Sequence, residues 1–239
     1  MVPFNLSDSN EKPRNASWKY KLTLLGLFAL AYCFLYVFPN IHAFDRSRQL
    51  PLLMIDRSVP FLPWTFVVYL SEYLLIITIL FLINDFNRFT SFARLAFGAL
   101  FIAGPIFILA PTSYPRPVYP VENNIMVKSA MNLVGIVDAP TNCFPSLHVA
   151  ITSIAVYALR FLKPKVWFFF VLWGVAILVS TMTTKQHYFI DIAGGLLVTL
   201  IVVILEKWLF KNKSTDQNHK AVSYDNLNRL TQPLERKYY

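Results

Sequence analysis

Residues 166–182 read VWFFFVLWGVAILVSTM, a run without a single charged side chain. An α-helix needs roughly 20 residues of this kind to cross about 30 Å of hydrocarbon. Lipid offers no hydrogen-bond partner to a free backbone group, so a segment that crosses it must be helical. The run therefore predicts a transmembrane helix and decides the class of fold.

Further apolar runs flank this one on both sides. They lie at about residues 22–38, 61–83, 95–110, 149–162 and 190–209. The chain is 56% hydrophobic and only 15% charged, whereas soluble domains average about 25% charged residues. We predict an all-α fold, a six-span transmembrane helical bundle over residues 21–210 between polar tails at 1–20 and 211–239. No small-x-small cleavage pattern follows the first run, so we interpret it as an uncleaved span.

The basic residues predict the orientation of the bundle. With the N-terminus inside, sixteen lysines and arginines fall on inner segments and six on outer ones. Positive charge accumulates on the cytoplasmic side of membrane proteins, so both termini are predicted to be cytoplasmic. The net charge of +9 follows this distribution and forms no single basic patch, which argues against a nucleic-acid partner.

Two predicted outer segments hold histidines. The first is a long loop from about Pro111 to Phe144, which leads directly to His148, and the second is the short turn 183–188 with His187. Two predicted helices separate the histidines, one crossing the membrane and one returning. Both side chains are therefore expected at the same, non-cytoplasmic face.

The residue types around these histidines suit chemistry on a phosphate. His187 and Asp191 are spaced i, i+4, which on a helix places two side chains on one face. Asp191 can accept a hydrogen bond from one imidazole nitrogen and leave the other free to attack. Ser146 and His148 stand at a predicted helix start, where free N–H groups favour an anion, and Arg116 adds a positive charge. Each residue alone has an ordinary structural explanation, but the joint pattern favours an active site.

These motifs resemble the three signatures of the phosphatidic acid phosphatase type 2 superfamily, whose members attack a phosphoester with a histidine. The matching residues are Arg116 and Pro117 in the first, Pro145, Ser146 and His148 in the second, and Ser180, His187 and Asp191 in the third. The likeness covers residues 109–195. It implies a nucleophilic His187, an orienting Asp191, proton transfer by His148, and no metal or cofactor. Arg116, Ser146 and Ser180 are then expected to bind the phosphate.

The chain departs from these signatures at two positions. Leu109 stands where the first signature has a lysine, and Thr181 stands where the third has an arginine. In the family both basic residues bind phosphate oxygens. Lys185 and Lys128 are the nearby candidates to replace the lost charges.

The departures resemble one branch of the superfamily, the inositol phosphorylceramide synthases, which also lack an arginine after the serine of the third signature. The similar strings are FPSLH at 144–148, QHYFID at 186–191 and DRSVPFLP at 56–63. That branch transfers a phosphoryl headgroup to another acceptor instead of to water. The resemblance leaves both a phosphatase and an inositolphosphotransferase-like enzyme open.

Two other classes of protein remain as alternatives. A metal-dependent membrane hydrolase could use His148, His187, Asp191 and Asp138 as ligands. A transporter could bind a lipid phosphate with the same residues and perform no chemistry. The predicted partners are a lipid phosphate substrate and the surrounding membrane lipids; the sequence does not indicate the oligomeric state, the lipid or the acceptor.

Overall fold

The computed structural model describes residues 14–42, 44–114, 116–119, 122–137 and 140–231. Within these residues the helices are α1 (Trp18–Tyr32), α2 (Phe38–His42), α3 (Met54–Ser58), α4 (Thr65–Leu82), α5 (Phe86–Leu109), α6 (Ile125–Val137), α7 (Leu147–Ala158), α8 (Pro164–Thr183) and α9 (Phe189–Thr231). A π-helical turn (Cys33–Val37) joins α1 to α2, and a 3-10 turn (Phe44–Arg46) follows. The chain forms one compact unit up to Val202 and another from Val203.

Helices long and apolar enough to cross a membrane account for five of the predicted spans. They are Trp18–His42, Thr65–Leu82, Phe86–Leu109, Pro164–Thr183 and Phe189–Phe210. Only 11–50% of the residues in their most apolar stretches are buried, so much of their apolar surface faces outward, as expected for helices surrounded by lipid. The structure is therefore an all-α membrane bundle.

The sixth predicted span, residues 149–162, corresponds to α7. This helix has 12 residues, which gives a length of about 18 Å. Most of its side chains are buried, because α7 packs against α4, α5 and α8. It is a short interior helix that carries one of the two histidine motifs at its start.

The start of α5 and the loop at 111–144 differ from the sequence prediction, and α9 continues to Thr231, past the predicted end of the last span at 209. Helix α5 begins at Phe86, well before residue 95, because the Asp85 side chain accepts a hydrogen bond from Arg88 N at 2.8 Å and caps a polar first turn. The long loop at 111–144 was expected to be irregular, yet it contains α6. Helix α6 buries Ala130 and Val134 against Phe66 and Tyr69 of α4.

One end of the bundle collects the loops that carry the predicted site. There the strands β1 (Arg48–Gln49) and β2 (Thr112–Ser113) form a short parallel pair. Thr112 extends this contact to the second motif, since its Oγ1 accepts from Phe144 N at 2.8 Å and its carbonyl from Cys143 N at 3.3 Å. The segment that leads into α7 is thereby held against the end of α5.

The starts of α7 and α9 approach each other closely at a glycine. A Cβ atom at Gly195 would lie 2.5 Å from the carbonyl oxygen of Ser146. Only glycine therefore permits the approach that brings the two histidine motifs together. Ser146 N also donates to the carbonyl of Asp191 at 3.1 Å, which joins the two helix starts directly.

Candidate active site

His187 lies in the turn between α8 and α9, as the sequence predicted, so the one-face geometry of an i, i+4 pair on a helix does not apply to His187 and Asp191. The turn is tied back to α8 because the Thr181 carbonyl accepts from both Gln186 N, at 3.1 Å, and His187 N, at 3.0 Å. Lys185 adopts a positive φ of 58° within it. The His187 side chain is buried, with only 3% of the residue exposed.

Asp191 occupies the third position of α9 and is fully buried. Its Oδ2 accepts from Tyr188 N at 3.0 Å, as a helix-capping carboxylate does. The same oxygen lies 3.5 Å from His187 Nδ1. This separation is longer than the 2.7–3.2 Å expected for a hydrogen bond, because the carboxylate is shared with the backbone of the helix start. Asp191 thus combines the capping role and the histidine contact.

His148 occupies the second position of α7, two residues after the N-cap Ser146. The His148 and His187 rings lie 5.9 Å apart between centroids. The structure therefore brings together the two histidines that are 39 positions apart in the sequence. Two imidazoles at this separation are close enough to act on one phosphorus centre bound beside them.

A carboxylate that the sequence analysis missed lies beside His148. Glu72 of α4 is buried and places its Oε2 3.4 Å from His148 Nε2, while its Oε1 accepts from the Thr152 hydroxyl at 3.2 Å. The Tyr69 hydroxyl lies 3.4 Å from the other nitrogen, Nδ1, and its ring stacks on His148. The sequence does contain a signal for this residue: Glu72 is a charged side chain inside the apolar run 61–83, and charged side chains within membrane spans mark functional sites.

The serines predicted to bind phosphate are both engaged with backbone. Ser146 Oγ accepts from Val149 N at 3.3 Å, so its hydroxyl hydrogen can still be donated. Ser180 Oγ donates to the Ile177 carbonyl at 2.6 Å within α8. That bond uses the only hydroxyl hydrogen of Ser180, so Ser146 is the better placed of the two.

The basic residues are placed differently from one another. Lys185 Nζ donates to the carbonyl oxygens of Asp56, at 2.9 Å, and Val59, at 2.6 Å, and therefore clamps that loop. Burial lowers the pKa of Lys185, and the Asp56 carboxylate acts in the opposite direction. Lys128 is exposed on α6, and Arg116 is half-buried in the stretch 116–119.

The loop with Arg116 reaches the turn that holds His187. Gln186 Nε2 donates to the Tyr119 hydroxyl at 2.7 Å, only three positions after Arg116. The Tyr114 ring also packs against the Tyr188 ring, with 4.2 Å between ring centroids. Burial raises the pKa of Tyr114, and Asp191 and Asp56 raise it further.

Asp56 is a second buried carboxylate that was not predicted as a site residue, although it begins the stretch 56–63. Its Oδ1 accepts from Phe189 N at 2.8 Å, the first residue of α9, and its Oδ2 accepts from Leu53 N at 2.9 Å. Leu62 N donates to the Thr183 carbonyl at 3.0 Å. The segment 56–62 therefore holds both ends of the His187 turn.

Buried polar atoms without a protein hydrogen-bond partner gather in this region of the described chain. They are both ring nitrogens of His187, Asp191 Oδ1, Gln186 Oε1, Asn142 Oδ1 and the Tyr114 hydroxyl. Buried polar groups are normally hydrogen-bonded, so such a concentration indicates a site for a polar ligand.

The alternative metal site predicted from the sequence comprises His148, His187, Asp191 and Asp138. Asp138 lies outside the described residues, and the part of the chain that the structure describes contains no group of three or more His, Cys, Asp or Glu arranged to hold a metal ion. The structure instead contains two histidine–carboxylate pairs, His148 with Glu72 and His187 with Asp191.

Comparison with known proteins agrees with this geometry. The profile of the PAP2 superfamily matches residues 35–205, well over half of the chain. No curated protein matches the chain. The matched range contains both histidines and both of their carboxylate neighbours. The chain therefore belongs to the PAP2 superfamily, and this membership indicates a membrane phosphatase or phosphotransferase of lipid phosphates.

Proposed function

We propose that the protein transfers the phosphoryl group of a lipid phosphoester through a covalent phosphohistidine at His187. The observation that supports the proposal is the pair of neighbouring imidazole rings 5.9 Å apart between centroids, each beside its own buried carboxylate. Two histidines of this kind can divide the nucleophilic and the acid–base roles between them.

In the first step, His187 Nε2 attacks phosphorus while the bond to the leaving oxygen breaks. The phosphorylated imidazole carries a positive charge, which Asp191 stabilises across the 3.5 Å contact at Nδ1. Protonated His148 donates its proton to the leaving alkoxide and becomes neutral. Glu72 stabilises the protonated form of His148 and orients its ring.

In the second step, neutral His148 accepts a proton from water or from an alcohol. The resulting oxygen nucleophile attacks phosphorus, and the bond to His187 breaks. This restores His187 and leaves His148 protonated for the next turnover. A phosphatase and a phosphotransferase share these steps and differ only in the acceptor.

The charge of the site favours a phosphodiester over a phosphomonoester substrate. Leu109 and Thr181 carry no charge, and Lys185 is bound to two backbone carbonyls. Asp191 and Glu72 meanwhile place two carboxylates beside the histidines. A phosphodiester carries one negative charge and a phosphomonoester carries close to two at neutral pH. With the two basic positions of the family uncharged, Arg116 remains as the cation expected at the phosphate, which supports the headgroup transfer that the resemblance to inositol phosphorylceramide synthases suggested.

A trapping experiment tests the covalent step. Purified protein is mixed with phosphorus-labelled phosphatidylinositol or phosphatidic acid and quenched during turnover. We expect acid-labile, alkali-stable label on the protein, as a phosphorus–nitrogen bond predicts. His187→Ala should give no label. His148→Ala should slow both steps and retain label, because the second step needs a base.

His42→Ala is the matched control, since His42 is an exposed histidine on α2. It should label and turn over like the unchanged protein. Persistent turnover in His187→Ala, lost on chelation, would instead favour the metal-dependent hydrolase. Saturable binding of both lipids without turnover would favour the transporter.

A further inference from the structure

A cleft between α1, α4 and α7 leads away from His148 into the bundle. Its volume is about 250 Å³, and His148 and Glu72 lie at its polar end. The rest of its wall is mainly apolar, with Leu25, Phe28 and Ile76 among the contributing residues. The cleft thus joins the proposed acid–base pair to a hydrocarbon-like surface.

The cleft continues in both directions. Toward the site it shares Tyr32, Tyr73 and His148 with a small cavity lined by further tyrosines. Away from the site it shares Leu25, Phe28, Ile76 and Ile151 with a deeper apolar cavity of about 60 Å³ that reaches α5. The three cavities adjoin through these shared lining residues, and together we call them the chain groove.

The chain groove runs along two of the membrane-spanning helices. Its wall runs from Leu24 to Tyr32 along α1 and from Glu72 to Leu80 along α4. Each wall is about 12 Å long at the helical rise of 1.5 Å per residue. Leu80 lies two residues before the end of α4, so the groove runs from the level of Glu72 toward the end of the span that is remote from Thr65 and the site.

The far end of the chain groove is tied by a buried lysine. Lys21 Nζ donates to the Leu80 carbonyl at 2.6 Å and to Asn84 Oδ1 at 3.1 Å, and it lies 5.4 Å from the centroid of the Phe89 ring. Leu80 and Phe89 both line the deeper cavity. This contact joins α1 to α4 at the end of the groove that is remote from His148.

We propose that the chain groove binds one hydrocarbon chain of the lipid substrate while the phosphate lies between His148 and His187. The inference rests on the proposed function and specifies a lipid whose chain lies inside the protein next to α1. An apolar lining favours the binding of a hydrocarbon chain over that of water or a charged peptide. The exposed rim residues Leu25 and Tyr73 leave a lateral opening through which a lipid can enter from the membrane.

Photolabelling tests the groove without relying on turnover. The full chain is placed in phosphatidylcholine vesicles with a trace of phosphatidylinositol that carries a diazirine near the end of one acyl chain. After irradiation, labelled peptides are mapped by mass spectrometry. We expect label within 24–32 of α1 and 72–80 of α4, and a roughly tenfold loss of that label when excess phosphatidylinositol saturates the site.

Two neighbouring isoleucines of α4 supply matched variants. Ile76 lines both larger cavities, whereas Ile77 is exposed and lines neither. Ile76→Trp should reduce the competable label roughly tenfold, because the larger side chain occupies space that the hydrocarbon chain would fill. Ile77→Trp should leave it unchanged.

The outcomes separate this inference from the proposed function. Competable label on Leu172 and Val175 of α8 in place of the groove would overturn the chain groove. Turnover of lipid by a protein that shows no competable label in α1 or α4 would also overturn the chain groove. Competable groove label in a protein without turnover of any phospholipid would support the groove and overturn the catalytic proposal.

Discussion

At the residue scale, Asp191 has two neighbours that respond differently to a loss of charge. Its Oδ2 accepts from Tyr188 N and lies 3.5 Å from His187 Nδ1. An asparagine at this position keeps an oxygen for the Tyr188 backbone but offers no negative charge to a phosphorylated imidazole. The helix start and the catalytic role are therefore separable.

We expect Asp191→Asn to fold, with a loss of about 1 kcal/mol or less in the free energy of unfolding, because the cap contact survives. Its kcat should fall by roughly 10²–10⁴, the scale for neutralising a carboxylate that orients a catalytic histidine. Thermal melting in detergent and steady-state kinetics measure the two quantities. Near-full activity would contradict the role of Asp191.

Glu72 allows a second prediction at this scale, because it acts through His148 and not on the substrate. Glu72→Gln keeps an oxygen for Thr152 and removes the charge beside His148. We expect a roughly 10–100-fold lower kcat on lipid esters, the scale for losing a supporting contact of this kind. A nitrophenyl ester, whose leaving group needs no proton, should lose much less.

Comparing the two kinds of leaving group distinguishes this role from a purely structural one. A structural defect lowers turnover of both esters by the same factor, and that result would argue against Glu72 as a positioning residue. Glu122→Gln is the control, since Glu122 lies in the loop before α6 and bonds only to the nearby Asn124 N in the contacts described.

At the element scale, the site depends on how closely α9 approaches α7. Gly195 faces the Ser146 carbonyl at a distance that excludes a Cβ atom, whereas Gly26 of α1 has open space around it. The two glycines therefore offer the same substitution in two different environments.

We expect Gly195→Ala to lower stability by roughly 1–3 kcal/mol, the usual cost of overpacking, since its Cβ meets rigid backbone. Turnover should fall as well, because the substitution pushes the two histidine motifs apart. Gly26→Ala should be neutral or slightly stabilising, as expected for alanine in a helix. Equal melting temperatures for the two variants would contradict the close-packing argument.

At the scale of the whole molecule, the bundle gathers the site at one end. The end of α8 and the starts of α7 and α9 meet there, with α6 packed against α4 beside them. The distribution of basic residues predicts that this end lies at the non-cytoplasmic face. The orientation is a prediction that labelling can test directly.

We expect Val118→Cys, in a Cys33→Ser and Cys143→Ser background, to react with an impermeant maleimide on intact cells. Val118 is 99% exposed and lies in the loop at the site end. Gln217→Cys, in the C-terminal tail, should react only after lysis. The reverse pattern would place the site in the cytoplasm.

Several elements were predictable because their signal is local. The length and hydropathy of an apolar run determine whether a helix can span a membrane, so five predicted spans reappear with shifted ends. The start of α5 was missed because its first turns are polar and depend on the Asp85 cap. Helix α6 was missed because Pro-rich and Asn-rich sequence surrounds a short amphipathic pattern.

The sequence by itself determined that this is a helical membrane protein, because the length of an apolar run is written in consecutive residues, and its motif spacing predicted His148, His187 and Asp191 as the reactive groups. Only the tertiary structure decided what those groups contact. Glu72 meets His148 across 76 positions, and Asp56 meets the start of α9 across 133. Lys185 likewise bonds to backbone carbonyls rather than lying ready for a phosphate. A hydrogen-bond partner is chosen by distance and direction in space, and those follow from helix packing that no single stretch of sequence contains.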